Sequence, residues 1–382
     1  MRPRTQSIRP TAAEATRHLR PVLTDWLGRA VRLPPRRRTC TPETVWSVVL
    51  FARSIATACA ACAGVPSGQA IWDCLYLALP ERRRTLERRL RPALHAPLGN
   101  RNRRADVAID YHRIGYYGEP NRDTTRSKQT AGTHTFHTYA TACLVGGSDR
   151  YTLGLTAVGE KEPMTAVLAR LLEQVAAARV TIRAALLDKA FFSIPVMRLL
   201  QSREVPFVIP AVVRGRNPRP GVPAVGLRAV RRCGAGRYGY THADRGASVP
   251  LTVMVAHKSY RHRRTGSRRS KKLLCATWRV TGTPVAIRDR YRTRFGIESS
   301  YRQLGHVRPR TSTTDGVIRL LWVAVGLILR NAWVRFRSAN GPGWTLADAC
   351  RVLMIEIVGT RHPAPRAQAP TNTPMEPARA PT

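Results

Sequence analysis

Asp110 and Asp188 each stand directly after an apolar run, Val107-Ala108-Ile109 in one case and Ala184-Ala185-Leu186-Leu187 in the other. Runs this short and apolar read as buried strands. An ionised acid at the end of such a strand is costly unless it is paired or holds a metal. A third acid, Glu298, lies in a helical stretch among Arg292, Arg294 and Arg302. Taken singly, each of the three reads equally well as a helix cap or half of an ion pair. Taken together, they supply what metal-assisted phosphodiester cleavage needs. Two divalent ions activate the attacking oxygen and stabilise the leaving one, while the protein contributes hard oxygen ligands and a dry frame. The expected ions are two Mg²⁺, for which Mn²⁺ can substitute. Other acids fit other roles. Asp106 shares a strand face with Asp110 but falls at the strand's start, and Glu119, Asp123, Glu160 and Glu162 suit loops or caps.

The elements that must position these acids follow from periodicity. Strands are expected at Val107-Ala108-Ile109, Thr133 to Val145 and Tyr151 to Val158, then an amphipathic helix from Pro163 to about Ala178. A strand at Ile182 to Leu187, a helix at Ile194 to Gln201 and a strand at Pro206 to Val213 complete a βββαβαβ order. That order predicts an α/β fold, an RNase H-like mixed sheet flanked by helices. Residues 214–283 form a basic, β-rich insertion: 17 Lys or Arg face the single acid Asp244 between 214 and 280. Its hairpin tip is expected around Arg261 to Lys272, where Arg263, Arg264, Arg268, Arg269, Lys271 and Lys272 cluster. A helix from Pro284 passes through Glu298, and another spans Asp315 to Arg337, so that 284–358 carries the last helices of the core begun by 101–213. Ahead of the core lie a basic arm (1–40) and a helical domain (41–100). Ser67 is placed to cap the second helix of that domain, and Pro80 to stop it. Three short helices with a basic last one fit a DNA-binding helix-turn-helix, or a plain helical subdomain. The Pro-, Ala- and Thr-rich tail (359–382) reads as disordered.

Charge narrows the partner. Sixty-four Lys and Arg against 23 Asp and Glu give a net charge of +41 over 382 residues. A chain so basic repels itself unless a polyanion neutralises it, and double-stranded DNA is the expected one. Codon bias toward arginine accounts for part of the excess but not for the local scarcity of acids. RNA recognition is disfavoured, since aromatic residues are only 7% and base stacking uses them. The longest apolar run, Leu320 to Leu329, is about half a bilayer span, and no signal-peptide core follows the N-terminus, so a cytoplasmic, nucleoid-associated protein is expected. Cys59 and Cys62 have no second pair at zinc spacing.

Asp188-Lys189-Ala190-Phe191-Phe192-Ser193, and above all Tyr291-Arg292-Thr293-Arg294-Phe295-Gly296-Ile297-Glu298-Ser299-Ser300-Tyr301-Arg302, resemble DDE transposases of bacterial and archaeal insertion sequences. The similarity is to the group with a Tyr-Arg-Glu-Lys signature and a β insertion before the catalytic Glu. It extends over about residues 100–335, with Asp110-Tyr111 and Tyr116-Tyr117-Gly118 resembling the first Asp segment, and Arg310-Thr311-Ser312 and Asn331-Ala332-Trp333 downstream. The resemblance implies that Asp110, Asp188 and Glu298 are catalytic metal ligands. It implies as partners the element's terminal inverted repeats and target DNA, with self-association on DNA. Tyr291 and Arg294 take the signature positions, but the Lys expected seven residues past Glu298 falls on Gly305. Arg302 or Arg308 is then expected to grip phosphate instead, with Lys189 a further candidate beside the scissile phosphate. The alternative is a decayed or domesticated relative that binds DNA without cutting it, as a repressor does; cleavage in Mg²⁺ separates the two.

Overall fold

The computed structural model describes residues 22–34, 40–51, 59, 66–147, 150–215, 217, 223–262, 264–340, 345, 346 and 348. Most of the 1–40 arm, all of the 359–382 tail and Arg263 lie outside them.

One nine-stranded sheet organises the chain. Strand β1 (Arg103–Gly115) pairs antiparallel with β3 (Thr133–Val145) on one side and parallel with β5 (Val180–Leu187) on the other. The outer edge of β3 is shared in succession by β2 (Thr125–Thr130) and β4 (Thr152–Val158). Beyond β5 comes β6 (Phe207–Pro210), again parallel. Three antiparallel strands followed by parallel ones, with α4 (Met164–Ala177) and α5 (Ile194–Ser202) as crossovers, make the mixed RNase H-like sheet expected from the sequence.

The insertion continues this sheet. After the short α6 (Leu227–Arg232), β7 (Gly236–Asp244), β8 (Ala247–Arg261) and β9 (Arg268–Trp278) form a meander, and β9 pairs antiparallel with β6. The hairpin strands run further than expected, so the turn is only 262–267, and Arg268, Arg269, Lys271 and Lys272 lie on β9. Lys272 has work inside the fold: its ammonium donates to the carbonyls of Arg232 and Cys233 at the end of α6, where helix carbonyls lack partners.

Strand periodicity of two gives the sheet two apolar faces. Val107 and Ile109 of β1 and Ala185 and Leu187 of β5 point into the larger core. That core is completed by α1 (Pro42–Phe51), α2 (Gly68–Ala78), α3 (Arg83–His95), α4, α5 and the long α9 (Gly316–Asn340). Ala108, Ala184 and Leu186 point the other way, against Ile287 and Tyr291 of α7 (Pro284–Arg292) and Ile297 of α8 (Gly296–Val307). The helix expected to run unbroken through Glu298 is interrupted by a 3₁₀ turn, Thr293–Phe295, which carries Arg294.

The N-terminal helices share the main core. Ser67 caps α2 as expected, accepting from the Ala70 amide. On α3, Leu86, Leu90 and Leu94 are buried, and Glu87 accepts from the Thr156 hydroxyl and the Ala157 amide of β4. Helix α9 is long and apolar enough to cross a membrane, yet the span that qualifies is wholly buried within the protein; it is a core helix. Asn331 fixes it by bonding both the amide and the carbonyl of Thr152 and the carbonyl of Leu94. Gly326 lets α9 cross α8 so closely that a β-carbon there would run into Leu304.

Candidate active site

The parallel pairing of β1 and β5 ends at Ile109 opposite Leu187. Asp110 and Asp188 are the next residues of their strands, leaving the ladder side by side. Their parity matches Ala108 and Leu186, so both start on the sheet face that α7 and α8 cover. Asp110 does not end its strand, as the sequence suggested. Pairing with β3 carries β1 on to Gly115 and sets Asp110 opposite Thr141.

Arg294 joins the first strand to the last helices. Its Nη1 donates to Asp110 Oδ2 at 3.0 Å and its Nη2 to Glu298 Oε1 at 3.0 Å. One guanidinium therefore bridges two carboxylates that are far apart in the chain. Burial alone would lower the Arg294 pKa, but Tyr291 and the charges of Asp110, Asp188 and Glu298 raise it above the usual range. Tyr301 closes the site from α8: its hydroxyl donates to the Asp110 carbonyl and meets the Thr141 hydroxyl. Its ring stacks on His112, with centroids 4.4 Å apart.

The electrostatics are unbalanced. Burial pushes the Asp110 carboxyl above the usual carboxylate range; Arg294 and the Tyr111 amide counter this only in part, and the charge of Asp188 adds to the rise. Asp188 has no hydrogen bond or ion pair to its carboxylate among the described residues. Glu298 offers Oε2 in addition to the oxygen held by Arg294, and its side chain is 49% exposed. A partly buried carboxylate that one guanidinium does not satisfy, beside an unpaired second and a half-open third, is a donor set suited to hard divalent cations. Among the described residues no three acidic, His or Cys groups are drawn close enough to hold one ion. Arg294 stands between two of the three carboxylates, and its displacement from one of them is what ion entry would require.

The other expected residues divide. Tyr291 and Arg294 are 6% and 5% exposed; Arg294 is turned onto the carboxylates and lies over the Tyr291 ring. Arg302 is exposed one turn past Glu298 and, among the described residues, bonded only to Ser299. Lys189 is exposed beside Asp188. Arg308 ends α8 and lines a cleft of its own near the end of β1. Arg264, Arg268, Arg269 and Lys271 are far along the insertion from these carboxylates in the strand register, on the β8–β9 arm.

Asp106 is engaged elsewhere. Arg183 of β5 and Arg290 of α7 each reach it with two hydrogen bonds. Sequence gave no hint of this clamp, since its partners lie 77 and 184 residues away. Burial pushes the Asp106 carboxyl up, but the hydrogen bonds and charges of Arg290 and Arg183 outweigh it and hold the pKa below the usual range. Asp106 therefore adds stability above the unfolded value of about 3.9, lost as pH falls through the lower folded value. Asp106→Asn is expected to cost about 3 kcal/mol at neutral pH, the low end for a broken buried pair because Arg183 is half exposed. Its stability should also fall less steeply below about pH 4 than that of the parent. Denaturant titrations at several pH values check both; parallel acid profiles for the two proteins would refute the linkage.

The family described as Transposase DDE domain matches residues 102–329, a span that includes Asp110, Asp188, Glu298 and the whole insertion. No curated protein matches the chain in sequence. Among solved structures, the piggyBac transposase synaptic complex with hairpin DNA is similar over 93% of this chain and 82% of that one, with a TM-score of 0.56 at 14% identity. At that identity the likeness is one of fold.

Proposed function

This chain belongs to the transposase DDE domain family, and from that premise we propose that it cuts and rejoins DNA at the ends of an insertion sequence of the Tyr-Arg-Glu-Lys group. Asp110, Asp188 and Glu298 would hold two Mg²⁺ ions, with Mn²⁺ able to replace them. When bound, such ions activate water or a 3′-hydroxyl and stabilise the departing oxygen. The chain's own groups do the positioning. Tyr301 pins α8 to the backbone of Asp110. Arg294 keeps Asp110 and Glu298 together before any ion enters. The basic insertion and the N-terminal helices would bind duplex DNA, terminal repeats first and target afterwards, with two chains assembling on two ends. The observation that carries this reading is the Arg294 bridge between Asp110 and Glu298. Incubating the full chain with terminal-repeat DNA should give nicked or broken ends only when Mg²⁺ or Mn²⁺ is added. Retention of DNA without any cleavage in either metal would leave the repressor reading, which Gly305 favours because the signature Lys is missing there.

Gly305 also permits a direct test. It is exposed, two helical turns from Glu298, and a β-carbon there meets nothing within 4 Å. Gly305→Lys should raise stability by about 0.5–1 kcal/mol through helix propensity alone. It should also steepen the salt dependence of DNA binding by about 0.9 in log–log slope if the amine reaches a phosphate. Thermal melts and anisotropy titrations read the two effects separately. A more stable variant with an unchanged slope would show that the position does not face DNA.

A further inference from the structure

Strand β1 continues past Asp110 to Gly115, and Tyr116-Tyr117-Gly118 then form one wall of a cleft of about 530 Å³. The other wall is the connection between α8 and α9 with the first turn of α9, which bring Arg308, Arg310 and Arg319 into the same cleft beside Thr311 and Ser312. No carboxylate lines it. Among the described residues none of the three arginines has an acidic partner. Arg308 reaches only the Pro309 carbonyl, at 3.4 Å. Arg319 donates to the Thr313 carbonyl and lies over the Tyr116 ring. Of the acids close by in the chain, Asp315 caps α9 through the Val317 and Ile318 amides, Asp123 is paired with Arg83, and the exposed Glu119 does not line the cleft.

Gathering three guanidinium groups without a counter-charge is unfavourable in the free protein, most of all where they are partly desolvated. Burial, with repulsion from Arg319 and Arg310, lowers the Arg308 pKa, and burial lowers that of Arg319. The same excess charge is felt nearby. Burial, Arg319 and Arg83 bring His137 down to about 4. A charge deficit this local is relieved by an anion that accepts several N–H groups at once, and phosphate is the anion arginine forks fit best.

We propose that this cleft is a seat for one phosphodiester of the DNA backbone, separate from the phosphodiester held at Asp110, Asp188 and Glu298. The assignment of the anion to DNA rests on the function proposed above; the anion chemistry does not. Five residues of extended strand separate Asp110 from Gly115, about 17 Å. A phosphate at that distance belongs to the same turn of duplex, a few nucleotides from the reacting one. The seat would hold the strand in register while its neighbour is cut.

The test uses the full chain, a labelled duplex and no metal. Arg310 is exposed and its side chain has no hydrogen bond or ion pair among the described residues, so Arg310→Ala should melt with the parent. Its binding should lose part of the log–log salt slope of about 0.9 that one neutralised phosphate contributes, and Arg308→Ala/Arg310→Ala the whole of it. A scan of neutral methylphosphonate linkages along each strand should find one position that weakens the parent and no longer matters to Arg310→Ala. That coupling distinguishes a seat from a general loss of charge. An unchanged slope in the folded variant, or the same linkage profile in both proteins, overturns the proposal. So does a melting temperature raised by inorganic phosphate in the parent alone while the DNA results stay the same, which marks a free-anion site. If the slope and the coupling are lost as expected but the parent never cleaves DNA in Mg²⁺, the seat stands and the catalytic reading fails alone.

Discussion

Asp188→Asn is expected to abolish metal-dependent strand cleavage while leaving DNA affinity equal or higher. The substitution keeps the shape of the side chain and removes only its charge. Because the Asp188 carboxylate holds no hydrogen bond or ion pair among the described residues, its loss removes no support from the fold. What it removes is a hard oxygen ligand, and metal stabilisation of a phosphoryl-transfer transition state amounts to several kcal/mol. A loss of about 4 kcal/mol corresponds to roughly a thousandfold in rate, enough to erase product on a gel. Affinity should not suffer, since one negative charge fewer beside a polyanion lessens repulsion. The companion changes are less clean. Asp110→Asn also frees Arg294, and Glu298→Gln weakens the same bridge, so both need a melting curve beside the cleavage assay. Cleavage at the parental rate by a folded Asp188→Asn protein would rule out the three-carboxylate site.

How far the sequence could be read depended on whether apolar residues announced the element. Strands β3, β4 and β5 were legible because buried Val, Leu and Ala mark them, and their order was enough to predict the RNase H-like sheet. Strand β2 was not, because Thr125-Arg126-Ser127-Lys128-Gln129-Thr130 has no apolar face and pairs only at an edge. Strand β7 was missed for a related reason: three glycines or small residues alternate with Tyr238, Tyr240 and His242, and the strand forms the far edge of the sheet. In the candidate site, the three acids stand out in the sequence by type and setting. The inward turn of Arg294 was not, because a helical spacing of four predicts its pair with Glu298 but nothing local announces Asp110. Tyr301 follows from the companion helical spacing, three residues past Glu298 on one helix face. The Asp106 clamp and the three-arginine cleft both join segments far apart in the chain, and only the folded sheet brings them together.

The basic arm of the insertion carries the second large expectation. In the β8–β9 ladder Arg261 faces Arg268 and Tyr260 faces Arg269, and like charges directly opposite one another destabilise a strand pair. An arm built this way forms at a cost that a polyanion lying along it would offset. Lys272 should be left intact in any test because it bonds the end of α6. Neutralising Arg264, Arg268, Arg269 and Lys271 to Gln should leave the fold as stable as before, or slightly more so. If all four contact phosphates, the log–log salt slope of DNA binding falls by about 3.6, at about 0.9 per contact. Between 50 and 200 mM salt the parent would then lose about 150-fold more affinity than the variant. Anisotropy titrations over that range measure the slope directly, and a sequence-scrambled duplex should show the same change, since backbone contacts carry no sequence information. A slope that stays at the parental value on both duplexes would make the arm a spacer that extends the sheet, and its arginines solvated charge with no ligand.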